Sequence, residues 1–150
     1  MVGPDYLTTM QSLAVLSVLA LMAAPGPTNA LLAAHGARSG GWRALIPVAL
    51  GYAIALTAYA LFLPEAAAAR AALKFACAAW LAVLAVRCWR AAEVQPGASL
   101  FVTTLLNPKA AFLALTLAPS LGVVGLDFVG VGAALAAGAL WLILGAVAGR

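Results

Sequence analysis

Long stretches without charged residues alternate with short polar segments along the chain. The first stretch runs from Tyr6 to Ala34, which is longer than the about 20 residues that a helix needs to cross a bilayer. Four further charge-poor windows run from Ala44 to Leu63, from about Ala67 to Val86, from Ser99 to Leu121 and from Phe128 to Ala148. This pattern predicts five membrane-spanning helices.

Residues that favour turns lie between these windows. They are Gly36, Gly40 and Gly41 after the first window, Pro64 after the second, Gln95, Pro96 and Gly97 after the third, and Gly122, Gly125 and Asp127 after the fourth. We therefore expect residues 122–127 to separate the fourth helix from the fifth.

The composition supports a membrane protein and excludes other classes. Hydrophobic residues make up 66% of the 150 residues and charged residues 8%, whereas soluble domains average about 25% charged residues. So few charges cannot coat a soluble globule, and most of the surface must meet lipid. We predict an all-α, polytopic helical membrane protein formed by a single transmembrane domain. The eight basic residues are scattered singly, which argues against a nucleic-acid partner.

The sequence holds no arrangement that is typical of catalysis or metal binding. It has no paired-carboxylate, Ser-His or HExxH-like constellation, and His35 has no second histidine with which to hold a metal ion. We therefore predict no enzymatic activity, no cofactor and no metal site.

The first predicted helix contains a break at Pro25, Gly26 and Pro27. Each proline lacks an N–H, so the carbonyls of Leu21 and Ala23 lose their helical partners. An unsatisfied carbonyl costs several kcal/mol in hydrocarbon, so irregular backbone survives there only against protein or a water-filled cavity. The break therefore indicates a polar contact inside the bundle.

The fourth predicted helix contains a counterpart at Asn107, Pro108 and Lys109, where the proline frees the carbonyl of Thr104. Interrupted helices in corresponding positions of two halves indicate the binding site of a secondary transporter. Each break needs partners for its freed carbonyls, so we predict that the two breaks approach each other across the centre of the bundle. Three helices make an odd number of crossings, so the second half is inverted relative to the first. The first repeat would cover about residues 6–90 and the second about residues 99–150.

Lys109 lies near the middle of a predicted span. A lysine at a helix centre costs about 2.5 to 3.5 kcal/mol on insertion scales, and such residues usually face a cavity or a partner. Snorkelling is the alternative, but the interface is about 15 Å away on either side. We expect Lys109 to bind the carboxylate of a solute. The candidate substrate-binding residues are Pro25, Gly26, Pro27, Thr28, Asn29, Asn107, Pro108 and Lys109.

These residues resemble the LysE-type amino-acid exporter family, which includes the lysine and homoserine/threonine exporters. The resemblance extends from about Leu7 to about Leu121. It depends on Pro25-Gly26-Pro27 with Asn29, the turn from Gly36 to Gly41 with Arg38 and Arg43, Gly51, Leu73-Lys74 before Ala78-Ala79-Trp80-Leu81, and Leu106-Asn107-Pro108-Lys109-Ala110. The two signature motifs of the family fall on Pro25, Gly26, Pro27 and Asn29, and on Asn107, Pro108 and Lys109.

The resemblance implies a compact inverted-repeat helical bundle in the plasma (inner) membrane of a bacterium. It also implies export of small amino acids or related metabolites, driven by the proton gradient. The family usually has six helices, so a chain that ends at Arg150 implies a LysE-type bundle lacking the sixth helix.

The acidic residues depart from the family pattern. Thr28 stands where the family commonly has an acidic residue. The four acidic residues of this chain fall at predicted edges or loops, and they are Asp5, Glu65, Glu93 and Asp127. We therefore expect no carboxylate inside the membrane, which leaves the coupling ion open.

More than one function agrees with the sequence. The first is an exporter whose partners are a small-molecule substrate, such as an amino acid, and the lipid bilayer. The sequence leaves open whether several copies of the chain form a homo-oligomer. The second is a non-transporting or degenerate membrane subunit of the same fold that assembles with a partner. Export of a metal cation has less support, because clustered acidic, His and Cys ligands are missing from the sequence.

We predict that the N-terminus lies outside and the C-terminus in the cytoplasm, because Lys and Arg accumulate in cytoplasmic loops. In that orientation five of the six arginines face the cytoplasm, against Arg70 and Lys74 on the outer side. Cysteine accessibility labelling checks this arrangement. A probe at Ser39 should react from the cytoplasm and one at Asp127 from outside, and the reverse pattern would contradict the orientation.

Overall fold

The computed structural model describes residues 15–38, 40–62, 67–89 and 96–150. Within these ranges every regular element is a helix, which confirms the predicted all-α class. Some predicted features lie outside the described residues. They are the start of the first span at Tyr6, the helix end at Pro64 and the turn residue Gln95.

A bent pair of helices begins the described chain. Helix α1 covers Val15–Ala23 and helix α2 covers Pro27–Ala37, and the two are bent by 59° relative to each other. Pro27 lies in the first turn of α2, where a missing N–H removes no helical hydrogen bond. The predicted break is therefore present, and it ends one helix and begins the next.

Four further helices follow the bent pair. A 3₁₀ turn at Trp42–Ala44 leads into α3 at Leu45–Phe62, and α4 covers Ala67–Trp89, α5 covers Pro96–Leu105 and α6 covers Pro108–Ala148. Inside α6 the backbone leaves helical geometry at Gly122, where φ is 67° and ψ is 172°. Glycine adopts this positive φ without the steric penalty of a side chain. Helix α6 therefore consists of two helical segments joined at Gly122.

The separation predicted at residues 122–127 is wrong in its extent. Gly125 and Asp127 lie within the helix, and the departure from helical geometry is confined to Gly122. A glycine can redirect a helix locally, so the six-residue separation is not needed.

Two helical stretches are long and apolar enough to cross a membrane, and they are Trp42–Phe62 and Leu100–Ala148. The bent pair of α1 and α2 is a third if the two helices form one span. Among the described residues, α4 contributes a shorter apolar helix at Ala71–Val86. The outside of the bundle is also apolar, since Phe75, Val124 and Phe128 are 77%, 85% and 84% exposed. These features are consistent with a membrane protein. The number of five spans stays a prediction.

Helix α6 packs against both α2 and α3. Its contact with α2 depends on glycine, because a Cβ at Gly145 would overlap the carbonyl oxygen of Ala33 and one at Gly149 would lie 2.6 Å from that of Ala37. Small residues commonly let membrane helices approach this closely. Helix α3 approaches α5 in the same way, since a Cβ at Gly51 would lie 2.9 Å from the Cβ of Thr104. These close contacts hold the helices that carry the two breaks.

We predict that Gly145→Ala destabilises the bundle, because the added methyl group would force α2 and α6 apart. Overpacking of this kind typically costs about 1–3 kcal/mol. Thermal unfolding of the purified protein in detergent measures the effect.

The matched control is Gly132→Ala, also in α6, because a Cβ there meets no described atom within 4 Å. Alanine favours a helix over glycine by about 1 kcal/mol, so this variant should unfold at an unchanged or higher temperature. A Gly145→Ala protein as stable as Gly132→Ala would contradict the close packing of α2 on α6.

Candidate functional site at the two helix breaks

Side chains donate hydrogen bonds to three consecutive backbone carbonyls at the first break, those of Met22, Ala23 and Ala24. Asn29, in the first turns of α2, reaches back across the bend, and its Nδ2 donates to the carbonyl oxygens of Met22 at 2.8 Å and Ala24 at 2.9 Å. Asn29 is buried, so these bonds form away from solvent. A single amide therefore bridges the end of α1 and the start of α2.

Two residues of α6 donate to the same bend. The indole Nε1 of Trp141 donates to the carbonyl of Ala23 at 2.9 Å, and this is one of the carbonyls that the proline break was predicted to free. The ammonium Nζ of Lys109 donates to the carbonyl of Ala24 at 2.6 Å. The carbonyl of Ala24 thus has two donors, Asn29 and Lys109.

The second break, between α5 and α6, is closed by Asn107. Its Oδ1 accepts a hydrogen bond from the backbone N–H of Lys109 at 3.0 Å, the usual arrangement of an asparagine before a helix. The carbonyl of Leu105, which loses that N–H, accepts a hydrogen bond from the hydroxyl of Tyr59. The carbonyl of Thr104 accepts one from the N–H of Asn107 at 3.1 Å. The carbonyls of both Thr104 and Leu105 are therefore paired.

Asn107 also joins the two breaks to each other. Its Nδ2 donates to Oγ1 of Thr28 at 3.2 Å and to the hydroxyl of Tyr52 at 2.8 Å. All three side chains are buried. Together with the contact of Lys109 and Ala24, these bonds confirm the prediction that the two breaks lie side by side within the bundle.

Gly26 leaves space for the lysine side chain. A Cβ at this position would lie 3.3 Å from both Cε and Nζ of Lys109. The φ of Gly26 is −167°, which any residue can adopt, so the requirement for glycine is one of space. Lys109 is half-buried. Its ammonium has three hydrogens, of which the described residues engage one.

The eight predicted site residues divide into two groups by what they do in the structure. Four make the hydrogen bonds, and they are Thr28, Asn29, Asn107 and Lys109. The others determine where the backbone breaks or leave space beside it, and they are Pro25, Gly26, Pro27 and Pro108.

An apolar recess of about 240 Å³ lies between α1 and α6. Leu21, Phe112, Leu113 and Thr116 are among the residues that line it. Leu113 follows Lys109 by one helical turn, so the two side chains share a face of α6. The recess therefore begins about one turn away from the lysine.

Sequence reasoning missed three aromatic donors of this site, Tyr52, Tyr59 and Trp141. A fourth aromatic donor, Trp80 of α4, binds Oγ1 of Thr103 in α5 at 3.0 Å. A buried Tyr or Trp needs a partner for its polar atom. Their positions inside apolar windows were the available signal, because aromatic residues that anchor a helix at the interface lie near its ends.

A separate polar contact joins α3 and α6. Oγ1 of Thr57 donates to Oδ2 of Asp127 at 2.6 Å. Oδ1 of Asp127 is shielded from solvent and, among the described residues, has no hydrogen-bond partner. The expectation of a loop is wrong for Asp127, because the residue is helical, although it lies only five residues after the break at Gly122. A hydroxyl partner allows this carboxylate to enter the packing of two helices.

Comparisons with known proteins find no match for this chain, whether with protein-family models, with curated protein sequences or with solved structures. The resemblance to LysE-type exporters therefore depends on the motifs quoted for it. An assignment of function must start from the geometry of the two breaks.

Proposed function

We propose that the chain is a secondary transporter that exports small amino acids or related metabolites across the inner membrane of a bacterium. The substrate binds where the broken helices meet, and an ion gradient drives its export. The resemblance to LysE-type exporters supports this assignment, and so does the contact between two interrupted helices in the two halves of the chain.

In this proposal the chain crosses the membrane five times with its N-terminus outside. The stretch Leu100–Ala148 has 49 residues, more than twice the about 20 that one crossing needs. It crosses twice and turns at Gly122, where the helical geometry is broken. The bent pair of α1 and α2, helix α3 and helix α4 supply the other three crossings.

The observation that carries the proposal is the hydrogen bond from Lys109 to the carbonyl of Ala24. An ammonium inside a membrane needs an anion or dipoles to compensate it. A neutral carbonyl does so here, and the carboxylate of an amino acid is a stronger acceptor because its charge assists the hydrogen bond. The substrate carboxylate takes the place of the Ala24 carbonyl at Nζ.

The second donor to the carbonyl of Ala24 lowers the free-energy cost of replacing this carbonyl by the substrate carboxylate at Lys109. When Lys109 turns to the substrate, the carbonyl of Ala24 keeps its hydrogen bond from Asn29 at 2.9 Å. No backbone acceptor is then left unpaired, and the penalty for an unsatisfied buried group does not arise. Gly26 leaves the ammonium room to move.

The surroundings favour a neutral, zwitterionic amino acid. Its carboxylate meets Lys109, and an apolar side chain fits the recess that Leu21, Phe112 and Leu113 line. The described residues bring no acidic side chain into hydrogen-bond contact with Lys109, so a substrate with an additional cationic group would gain no ion pair there.

A second candidate function is that of a non-transporting subunit that assembles with a partner. Both amide hydrogens of Asn29 and both of Asn107 are engaged within the chain. A purely structural role would explain why these groups already have partners. Transport measured on the protein alone separates the two functions.

We predict that the purified protein, reconstituted in liposomes, exchanges labelled neutral amino acids and that Lys109→Met lowers this transport by an order of magnitude or more. Methionine keeps the approximate volume of the stem but removes the charge that binds the carboxylate. The variant should still insert and fold, because the insertion penalty of the lysine disappears. Lys109→Arg should rescue transport poorly, since a planar guanidinium does not reproduce a compact ammonium.

Lys74→Met is the matched control, because Lys74 is an exposed lysine of α4. It should transport at the rate of the unchanged protein. Normal exchange by Lys109→Met at equal protein levels would show that the substrate site is misplaced. Absence of exchange in the unchanged protein, for every amino acid tried, would favour the subunit function.

We also predict that Gly26→Ala impairs transport without unfolding the protein. The new methyl group would lie 3.3 Å from the end of the Lys109 side chain, so the ammonium must shift from the position in which it binds the Ala24 carbonyl. Initial transport rates in liposomes measure the effect. Gly41→Ala is the control, because a Cβ at Gly41 meets no described atom within 4 Å. Equal transport rates for the two variants would contradict the proposal that transport depends on the position of the Lys109 ammonium.

A further inference from the structure

We propose that Asp127 binds the proton whose movement drives export, with Thr57 as its positioning residue. This inference rests on the proposed transport function and names its coupling site. Among the described residues, the hydrogen bonds at the two breaks involve no acidic side chain, so a proton that drives transport must bind elsewhere. Within the described part of the chain, Asp127 is the acidic residue, and it lies against the candidate membrane-spanning helix α3.

The two carboxylate oxygens of Asp127 have different surroundings. Oδ2 accepts the hydroxyl of Thr57 at 2.6 Å, which fixes the orientation of the side chain. Oδ1 is shielded from solvent and lacks a partner among the described residues. A proton can therefore bind Oδ1 without displacing any existing hydrogen bond. Intramembrane acidic residues commonly mark proton pathways.

The position of Asp127 suits a proton that enters from outside. Thr57 lies near the end of α3 at Phe62, and Asp127 lies five residues after the break at Gly122. In the proposed orientation, both of these helix ends face the outer side of the membrane. Asp127 is therefore about one to two turns below that surface, whereas Lys109 is on the other side of Gly122 along α6.

The titratable groups on the helices packed against α6 are engaged elsewhere or distant. On α3 they are Tyr52 and Tyr59, whose hydroxyls bind Asn107 and the carbonyl of Leu105. At the end of α2 they are His35 and Arg38. These two residues flank Ala37, which lies against Gly149 at the far end of α6. That end is roughly 30 Å along the helix from Asp127.

The other neighbouring helices add few titratable groups. The described part of α1, Val15–Ala23, contains none, although Val15 and Leu19 lie with Phe128 around one recess beside Asp127. Helix α4 carries Arg70, Lys74, Cys77, Arg87 and Cys88, of which Lys74 is exposed and Cys77 is buried. Within the described part of the chain, Asp127 is the carboxylate on this face of the bundle.

The ligand chemistry favours a proton over a metal cation. Within the described part of the chain, no group of three or more His, Cys, Asp or Glu side chains forms that could hold a metal ion. One carboxylate and one hydroxyl give few of the six to eight oxygen ligands that a hard cation such as Ca²⁺ takes. A proton needs a single oxygen.

The coupling step is a simple protonation. A proton from the outer side binds Oδ1 of the carboxylate, which becomes a neutral carboxylic acid while Oδ2 keeps its bond to Thr57. The acid releases the proton towards the cytoplasm, and one amino acid leaves the cell in the opposite direction. No covalent bond other than the O–H bond forms or breaks.

The test compares exchange with gradient-driven transport in the same liposomes. Exchange of labelled for unlabelled amino acid needs no gradient, whereas net accumulation does. A gradient of one pH unit can sustain about a tenfold concentration ratio for one-to-one coupling, since one pH unit is a tenfold change in proton activity. We expect Asp127→Asn to keep exchange and to lower this ratio from about ten to about one. Glu93→Gln is the control variant and should keep the ratio of the unchanged protein.

Thr57 provides a second variant with a readout beyond stability. Thr57→Val removes the hydrogen bond to Oδ2 and should shift the pH at which driven transport is half-maximal, whereas Thr57→Ser should restore the profile. Accumulation by Asp127→Asn that still follows the pH gradient would overturn the proposal. A folded Asp127→Asn protein that has lost both exchange and accumulation would also overturn the proposal, because Asp127 would then be needed for translocation itself.

A direct measurement separates this proposal from the proposed function. Infrared difference spectra between acidic and neutral pH should show protonated-carboxyl bands from all four acidic side chains, and one of these bands should be missing in Asp127→Asn and retained in Glu93→Gln. If the unchanged protein transports nothing but shows the band that Asp127→Asn lacks, the transport function fails while the proton site stands. If Asp127→Asn loses no band, the proton site is wrong whatever the transport result.

Discussion

Two helices broken by proline cannot lie in hydrocarbon unless donors reach their freed carbonyls, and the interior of this bundle supplies such donors at both breaks. At the first break the donors come from Asn29 on the next turn and from Lys109 and Trp141 on α6. At the second break they include the hydroxyl of Tyr59 on α3. Each break is therefore completed by helices distant in the sequence, and neither is stable as an isolated segment in lipid.

The sequence was sufficient to locate the breaks and to predict their contact, because proline acts on its own helix at a known offset. Pro27 frees the carbonyl of Ala23 whatever surrounds it. The donors were not predictable in the same way. Whether the indole of Trp141 reaches Ala23 depends on the rotation of α6 against α1, which follows from packing across the whole bundle.

Asp127 shows the limit of locating membrane spans from charge alone. A charged residue in the sequence indicates the boundary of a span, since an unpaired charge in lipid is costly. In the structure the hydroxyl of Thr57 pairs with it from α3, 70 residues away in the sequence. Local patterns contain no information on such a partner, so the sequence predicts a turn at a carboxylate that lies in a helix and contacts α3. Gly122 was recognised as a break, but its effect is limited to one residue.

The bundle divides into a part that is tightly packed and a part where hydrogen bonds can be exchanged. Where α2 meets the end of α6, glycine brings the backbones so close that an added methyl group would overlap the carbonyl of Ala33. Such contacts permit little relative movement. At the breaks, by contrast, the carbonyl of Ala24 has two donors, and the amide of Asn107 is divided between Thr28 and Tyr52. One of these bonds can open while the other keeps the backbone or side chain paired. In the transport function that we propose, the polar centre exchanges these bonds for a solute while the glycine contacts keep the helices in place.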